Sequence, residues 1–212
     1  MEIFNEAIEN YLEQHTTPED DVLAELNRRT HVEMLRPQML SGHVQGKFLE
    51  FLSRMIRPSR ILEIGTYTGY STICLARGLK AGGVIHTIDH NDELRKFTGY
   101  YFHKAGIAHQ VKLHIGAALD IIPQLDPAFD LVFMDADKRE YRAYFDLLID
   151  KLPPGSYILV DNVLWYGNVL QQKKDEETQA IVDFNQYIYT NGKVEQVMLP
   201  VRDGITLIRK RD

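Results

Sequence analysis

The sequence predicts an α/β protein: a mostly parallel seven-stranded sheet with helices on both faces and an antiparallel strand pair at its end. Three observations carry that reading. From about residue 58 onward, apolar strand-like runs alternate with helical patterns, as parallel strands joined by crossover helices do. Four of the runs end in polar or glycine-rich stubs, and in open α/β sheets ligands bind outside the carboxyl ends of the strands. The last two runs, 194–199 and 204–209, are joined only through Pro200-Val-Arg-Asp203, and such a closely linked pair runs antiparallel.

In chain order, residues 2–14 and 18–31 carry apolar residues at helical spacing, with Thr17-Pro18 as cap and first turn of the second helix. Residues 43–55 read as a third helix, with Val44, Phe48, Phe51, Leu52 and Met55 on one side. Strands follow at 61–63, 84–88, 111–115, 131–134 and 157–160, with helices after Gly69, from about Asp92, after Gly116, after Lys138 and over 178–189. Gly82-Gly83 and Pro153-Pro154-Gly155 fall between elements, as turns should. Composition shows no break, so residues 1–57 are expected as a helical N-terminal cap on a core at 58–212 within one domain.

Hydrophobic content of 44% is ample for a core, and 25% charged residues is ordinary for a globular chain. A net charge of −6 argues against a nucleic-acid binder, which would usually carry a basic face. The single cysteine, Cys74, excludes an internal disulfide and fits a reducing compartment. No apolar run approaches a membrane span, and the acidic start Met1-Glu-Ile-Phe-Asn-Glu lacks a signal-peptide pattern, so a cytoplasmic protein is expected.

The first stub, Gly65-Thr-Tyr-Thr-Gly69, turns a strand into a helix. Lacking Cβ atoms, Gly65 and Gly69 admit unusual φ and close approach of a ligand. Tyr67 stands where a dinucleotide G-x-G-x-x-G motif has its middle glycine, and no Lys-Ser/Thr follows as in a P-loop. Glu63 adds a negative charge that repels a pyrophosphate and suits a cationic ligand. An ordinary tight turn would use the same glycines. Asp89 closes the second strand, placed either to accept hydrogen bonds from a ribose diol or to cap the next helix in competition with Asn91 and Asp92. Gly116-Ala-Ala118 leaves room for a flat ring such as adenine, or is plain turn packing.

The other two stubs read as a cation site. Asp135, Asp161 and Asn162 offer three hard oxygen ligands of the kind Mg²⁺ or Ca²⁺ accepts, where helix capping is the alternative. His86, His90, His103, His109 and His114 have no metal-ligand spacing and read as surface or packing residues. Lys138 lies three residues beyond Asp135, so one helical turn brings its ammonium to the same spot. Beside a dication its pKa could fall far enough for a general base; otherwise it is a solvated lysine.

Ile61-Leu-Glu-Ile-Gly-Thr-Tyr-Thr-Gly-Tyr-Ser71, Asp135-Ala-Asp-Lys138, Asp161-Asn-Val-Leu-Trp165 and Asp203-Gly-Ile-Thr206 resemble, in this order, the cation-dependent class I S-adenosylmethionine O-methyltransferases, which include caffeoyl-CoA and catechol O-methyltransferases. The resemblance runs over about residues 36–209 and implies a Rossmann-like fold. It also implies that Glu63, Gly65, Tyr67 and Ser71 hold the methionine portion of S-adenosyl-L-methionine, with Asp135 beside it, and Asp89 the ribose. His90, Ala118 and Leu119 would line the adenine pocket, and Met39 and Ser41 would belong to a gate that closes over the cofactor. By the same resemblance Asp135, Asp161 and Asn162 bind the metal, usually Mg²⁺ (or Mn²⁺ or Ca²⁺), Lys138 is the base, and Trp165 sits by a small hydroxylated aromatic acceptor. A homodimer is implied as well.

The tail lacks an evident acidic counterpart, near Val197, of the residue that helps hold catechol in the animal enzymes. Arg202 is placed to greet an anionic acceptor, or to pair with Asp203 or another carboxylate. The alternative acceptor is hydroxylated uridine in tRNA, with Lys173-Lys174 and Arg209-Lys-Arg211 as a basic rim. A non-catalytic cofactor-binding or dimerisation protein fits poorly with an intact Asp135, Lys138, Asp161 and Asn162 set.

Overall fold

A computed structural model describes residues 6–126 and 128–212. Helices α1 (Glu6–Gln14), α2 (Asp21–Glu33) and α3 (Gly42–Ile56) come first. The expected first helix agrees from Glu6 on; residues 2–5 lie outside the described residues. Alternation then begins: β1 (Arg60–Ile64), α4 (Tyr70–Ala76), β2 (Val84–Asp89), α5 (Arg95–Lys104), β3 (Val111–Ile115), α6 (Ala118–Ile121), β4 (Leu131–Met134), α7 (Tyr141–Ile149) and β5 (Tyr157–Asp161). Helix α8 (Glu176–Tyr189), β6 (Val194–Leu199) and β7 (Ile205–Lys210) complete the order. The strands form one seven-stranded sheet ordered β3-β2-β1-β4-β5-β7-β6; β1 to β5 are parallel, and β7 is antiparallel to both neighbours. The order reverses between β1 and β4, which opens a crevice at their carboxyl ends.

Side-chain alternation along the strands splits the core into two layers. Ile61, Ile85, Leu131, Phe133 and Leu159 pack with Leu23 and Leu26 of α2, Leu49 of α3 and Ile73 of α4. Leu62, Ile64, Val132, Met134, Ile158 and Val160 pack with Tyr141, Phe145 and Phe184 of α7 and α8. Among the described residues no helix is long and apolar enough to cross a membrane.

Two local expectations are corrected. Helix α2 is capped by Asp20, whose carboxylate accepts from the amides of Val22 and Leu23, rather than by Thr17-Pro18. The short acidic side chain satisfies two orphan donors at once, which threonine three residues earlier cannot do. In α3 the buried face is Gln45, Gly46, Leu49, Glu50 and Ser53, not the apolar stripe, and Phe51 and Met55 are exposed. Close packing on α4 explains the inversion. A Cβ on Gly46 would stand 2.4 Å from the Tyr70 ring and 3.0 Å from Cys74 Sγ, and Ser53 Oγ donates to the carbonyl of Leu75 at 2.6 Å. Cys74 is 1% exposed, and burial pushes its thiol pKa up.

Candidate active site

The carboxyl ends of β1, β2, β3 and β4 are stitched together by backbone hydrogen bonds. The amide of Gly65 donates to Ile88 O, that of Gly116 to Asp89 O, and that of Asp135 to Ile64 O, all at 2.8–2.9 Å. Gly65 is obligatory in this seam. Its φ is 105°, and a Cβ there would lie 2.0 Å from the Asp135 carbonyl oxygen, against backbone that has no room to yield. Gly65→Ala is therefore expected to cost about 3 kcal/mol or more, and cofactor affinity with it. Thermal unfolding checks this; a melting point equal to the parent's would mean the β1–β4 junction is not as tight as described.

The glycine turn and Asp89 form one unit. Tyr67, at φ 46°, donates its amide to Asp89 Oδ2 at 2.7 Å, while Asn91 N donates to Oδ1 at 2.9 Å. Two carboxylate oxygens offer about four acceptor positions, so Asp89 retains capacity for a diol. Capping falls to Asn91, which accepts from the amide of Glu93. His90 stands at the rim with its side chain 91% exposed, and Ala118 and Leu119 follow Gly116 into the helical core layer. Met39 is half exposed and Ser41 buried, in the strap between α2 and α3.

Glu63 lies on β1 beneath the turn and is fully buried. Ser71 Oγ donates to its Oε1, and the hydroxyls of Thr72 and Thr87 to its Oε2. Burial outweighs these three donors and holds its pKa up at about 7, with Asp135 adding repulsion.

Beside the turn, Asp135, Asp161 and Asn162 meet Lys138. Lys138 Nζ donates to Asp135 Oδ1 at 2.9 Å and lies 5.1 Å from the centre of the Tyr141 ring and 6.0 Å from that of Trp165. Burial alone would lower the pKa of its ammonium, but Asp135, Tyr141 and Asp161 together raise it. Among the protein's own groups alone, the lysine stands as the counter-ion of the carboxylates. Asp161 is 3% exposed at the end of β5; burial first, and Asp135 second, push its pKa up to about 7. Its Oδ2 accepts from Gln45 Nε2 at 2.6 Å and its Oδ1 from the amide of Asn162 at 2.7 Å. Asn162 has φ 58° and commits Nδ2 to Asp203 Oδ2 at 3.2 Å, which leaves its Oδ1 as the end able to face a cation. Among the described residues no group of three or more His, Cys, Asp or Glu is disposed to hold a metal ion. The donor set instead pairs two carboxylates with an amide oxygen, all hard donors, and the crowding that raises Asp161 is relieved by added positive charge.

Trp165 and Tyr166 both have positive φ, 45° and 53°, in the loop after β5. Asp203 holds that loop by accepting from the amide of Tyr166. Of the partners expected for Arg202, no carboxylate is reached by its side-chain hydrogen bonds; its Nη1 donates to the carbonyls of Leu40, at 2.7 Å, and Ser41. Sequence reasoning missed Gln45, Thr72, Thr87 and the role of Asp203. The one available signal was Gln45, a polar residue one turn ahead of buried Leu49.

Residues 13–211 match the O-methyltransferase family model. The catechol O-methyltransferase of Niastella koreensis is 34% identical over 200 residues, covering 92% of this chain and 90% of its own. Probable caffeoyl-CoA O-methyltransferase 1 of Dictyostelium discoideum is 30% identical, covering 98% and 93%. The O-methyltransferase TomG from Streptomyces achromogenes, solved in complex with S-adenosylmethionine, superposes with a TM-score of 0.87 at 32% identity, covering 97% and 96% of the two chains. The S-adenosylhomocysteine-bound Podospora anserina methyltransferase PaMTH1 reaches 0.90 at 28% identity, covering 100% and 99%. With the glycine turn, Asp89 and the stitched strand ends in place, the chain belongs to the O-methyltransferase family and is an S-adenosylmethionine-dependent enzyme of the class I fold.

Proposed function

We propose that the enzyme methylates one hydroxyl of a small catechol-like or caffeoyl-like acceptor, and does so with a divalent cation, Mg²⁺ foremost. The observation that carries this reading is the meeting of Asp135, Asp161, Asn162, Lys138 and Trp165 beside the glycine turn. The names of the relatives support the acceptor class. Asp135, Asp161 and Asn162 hold the cation, which when bound supplies a Lewis acid that eases ionisation of an acceptor hydroxyl.

The protein's own groups do the rest. Glu63, Gly65, Tyr67 and Ser71 form the floor for the methionine portion, Asp89 takes the ribose, and His90, Ala118 and Leu119 border the adenine. Trp165 offers a face to the acceptor ring, and Lys138 Nζ is the base that takes the proton of the reacting hydroxyl, in the neutral form that added positive charge nearby would favour. Holding the acceptor oxygen in line with the sulfonium methyl carries much of the acceleration. Residues 1–57 act as cap and gate, with Met39 and Ser41 over the cofactor. The exposed Phe51 and Met55 on α3 favour a homodimer, and the buried free Cys74 a cytoplasmic setting.

Labelled S-adenosylmethionine offered to a panel of catechols, caffeoyl esters and hydroxylated tRNA, each with Mg²⁺ and with chelator, tests this. Metal-dependent transfer to catechols is the expected result. Equal turnover in excess chelator would remove the cation, and transfer to tRNA alone would replace the acceptor class.

A further inference from the structure

The strap between α2 and α3 is tied to the site at both ends. At one end the hydroxyl of Tyr67, from the glycine turn, donates to the carbonyl of Arg36 at 3.0 Å. At the other, Arg202 reaches the carbonyls of Leu40 and Ser41 from the turn between β6 and β7, where its backbone is left-handed at φ 48°. Its neighbour Asp203 accepts from the side-chain amide of Asn162 and from the backbone of Tyr166. The strap also runs directly into α3, whose first turn delivers Gln45 to Asp161 Oδ2 at 2.6 Å.

Two separate routes thus join the strap to Asp161 and Asn162, one through Gln45 and one through Arg202 and Asp203. Gln45 is wholly buried, and its Oε1 has no hydrogen-bond partner. An unpaired buried carbonyl costs free energy, so packing alone would be better served by leucine. What the glutamine supplies is its Nε2 donor, which fixes the rotamer of a carboxylate at the end of β5. Any shift of the strap that moves the first turn of α3 moves that donor.

We propose that Gln45 and Arg202 are positioning residues that couple the strap to the Asp161–Asn162 pair, so that closure over the cofactor and loading of the cation site strengthen one another. This rests on the cation-dependent reading above. The coupling is reciprocal: the factor by which cofactor tightens the cation equals the factor by which the cation tightens cofactor. Through Gln45 the coupling carries a direct contribution to cation affinity, because that residue orients a ligand. Through Arg202 it carries little, because the hydrogen bonds of the Arg202 side chain go to the strap carbonyls and not to the Asp161–Asn162 pair.

Trp165 is the one tryptophan of the chain and lies 6.0 Å from Lys138 Nζ, so its emission reads this site. Mg²⁺ is titrated against that emission, and by calorimetry, with and without S-adenosylhomocysteine, in the parent, Gln45→Leu and Arg202→Met. In the parent, the cofactor product is expected to tighten Mg²⁺ about fivefold or more. Gln45→Leu should weaken Mg²⁺ about tenfold and lower the coupling factor. Arg202→Met should leave Mg²⁺ affinity without cofactor within about twofold and also lower the coupling factor. Coupling unchanged in Gln45→Leu, or absent in the parent, overturns the proposal while the cation site stands. Should Gln45→Leu fail to fold, unchanged coupling in Arg202→Met, a surface replacement, overturns it alone. A parent that binds S-adenosylhomocysteine but no Mg²⁺ overturns the cation reading itself, and the coupling with it.

Discussion

Alanine at Asp135 should abolish methyl transfer while leaving the fold and the cofactor site standing. Among the described residues the carboxylate is the one ion-pair partner of the Lys138 ammonium, at 2.9 Å, and it is one of the three groups proposed to hold the cation. Removing it loses a hard ligand and strands a lysine whose side chain is 10% exposed. The loss in kcat/KM should reach about a thousandfold, equivalent to about 4 kcal/mol of transition-state stabilisation. The seam to β1 survives, because it is made by the Asp135 backbone, whose amide donates to Ile64 O at 2.8 Å. Cofactor binding should therefore stay within about tenfold of the parent, the range expected for losing a neighbour rather than a direct contact. Single-turnover rates and equilibrium dialysis with S-adenosylhomocysteine separate the two effects. Transfer within tenfold of the parent would exclude Asp135 from the reacting site.

Glutamine at Glu63 should stabilise the ligand-free protein at alkaline pH and weaken it as a cofactor binder. The carboxyl titrates at about 7 in the folded chain against an ordinary 4.5. Between those values the folded state keeps a proton that the unfolded state releases, so stability falls as pH rises through that window. Above it the buried carboxylate costs up to about 3 kcal/mol. Glutamine cannot ionise, and the hydroxyls of Ser71, Thr72 and Thr87 can rotate to serve an amide. The melting temperature should rise by about 5–10 °C at pH 8 and change little at pH 4.5. Affinity for the sulfonium-bearing cofactor should drop about tenfold, since the negative charge beneath the turn is what suits a cation. Equal melting temperatures at both pH values would show that the Glu63 carboxyl ionises as readily as an exposed one.

The strands were the legible part of the chain. β3, β4 and β6 occupy the expected residues, and β2 and β5 run one residue further, to Asp89 and Asp161. Apolar runs ended by Gly or Asp leave little freedom, because a buried parallel strand and its crossover turn each restrict composition. The positions of Asp89, Asp135, Asp161 and Asn162 at strand ends were legible for the same reason, since strand ends gather at one edge of the sheet; Trp165 entered only through the family resemblance. The helix faces were not legible. The apolar stripe of α3 did not show which side packs inward, since Phe51 and Met55 are exposed and the helix turns Gln45, Gly46 and Ser53 to its buried face. Gln45 escaped notice, and the strap carbonyls were not foreseen as partners of Arg202, because these contacts span 116, 162 and 161 residues of sequence. Local spacing carries no trace of a contact made only when the chain has closed.

The close fit of α3 on α4 gives the chain a chemical clock. Cys74 sits behind Gly46, sealed from solvent and with its thiolate form disfavoured. An alkylating reagent reaches it only in moments when the two helices part, so the labelling rate counts those moments directly. If the helices part only when the whole chain unfolds, the rate follows global stability under denaturant. If α3 lifts alone, labelling outruns unfolding, and a ligand that clamps the strap slows the clock without touching the thiol.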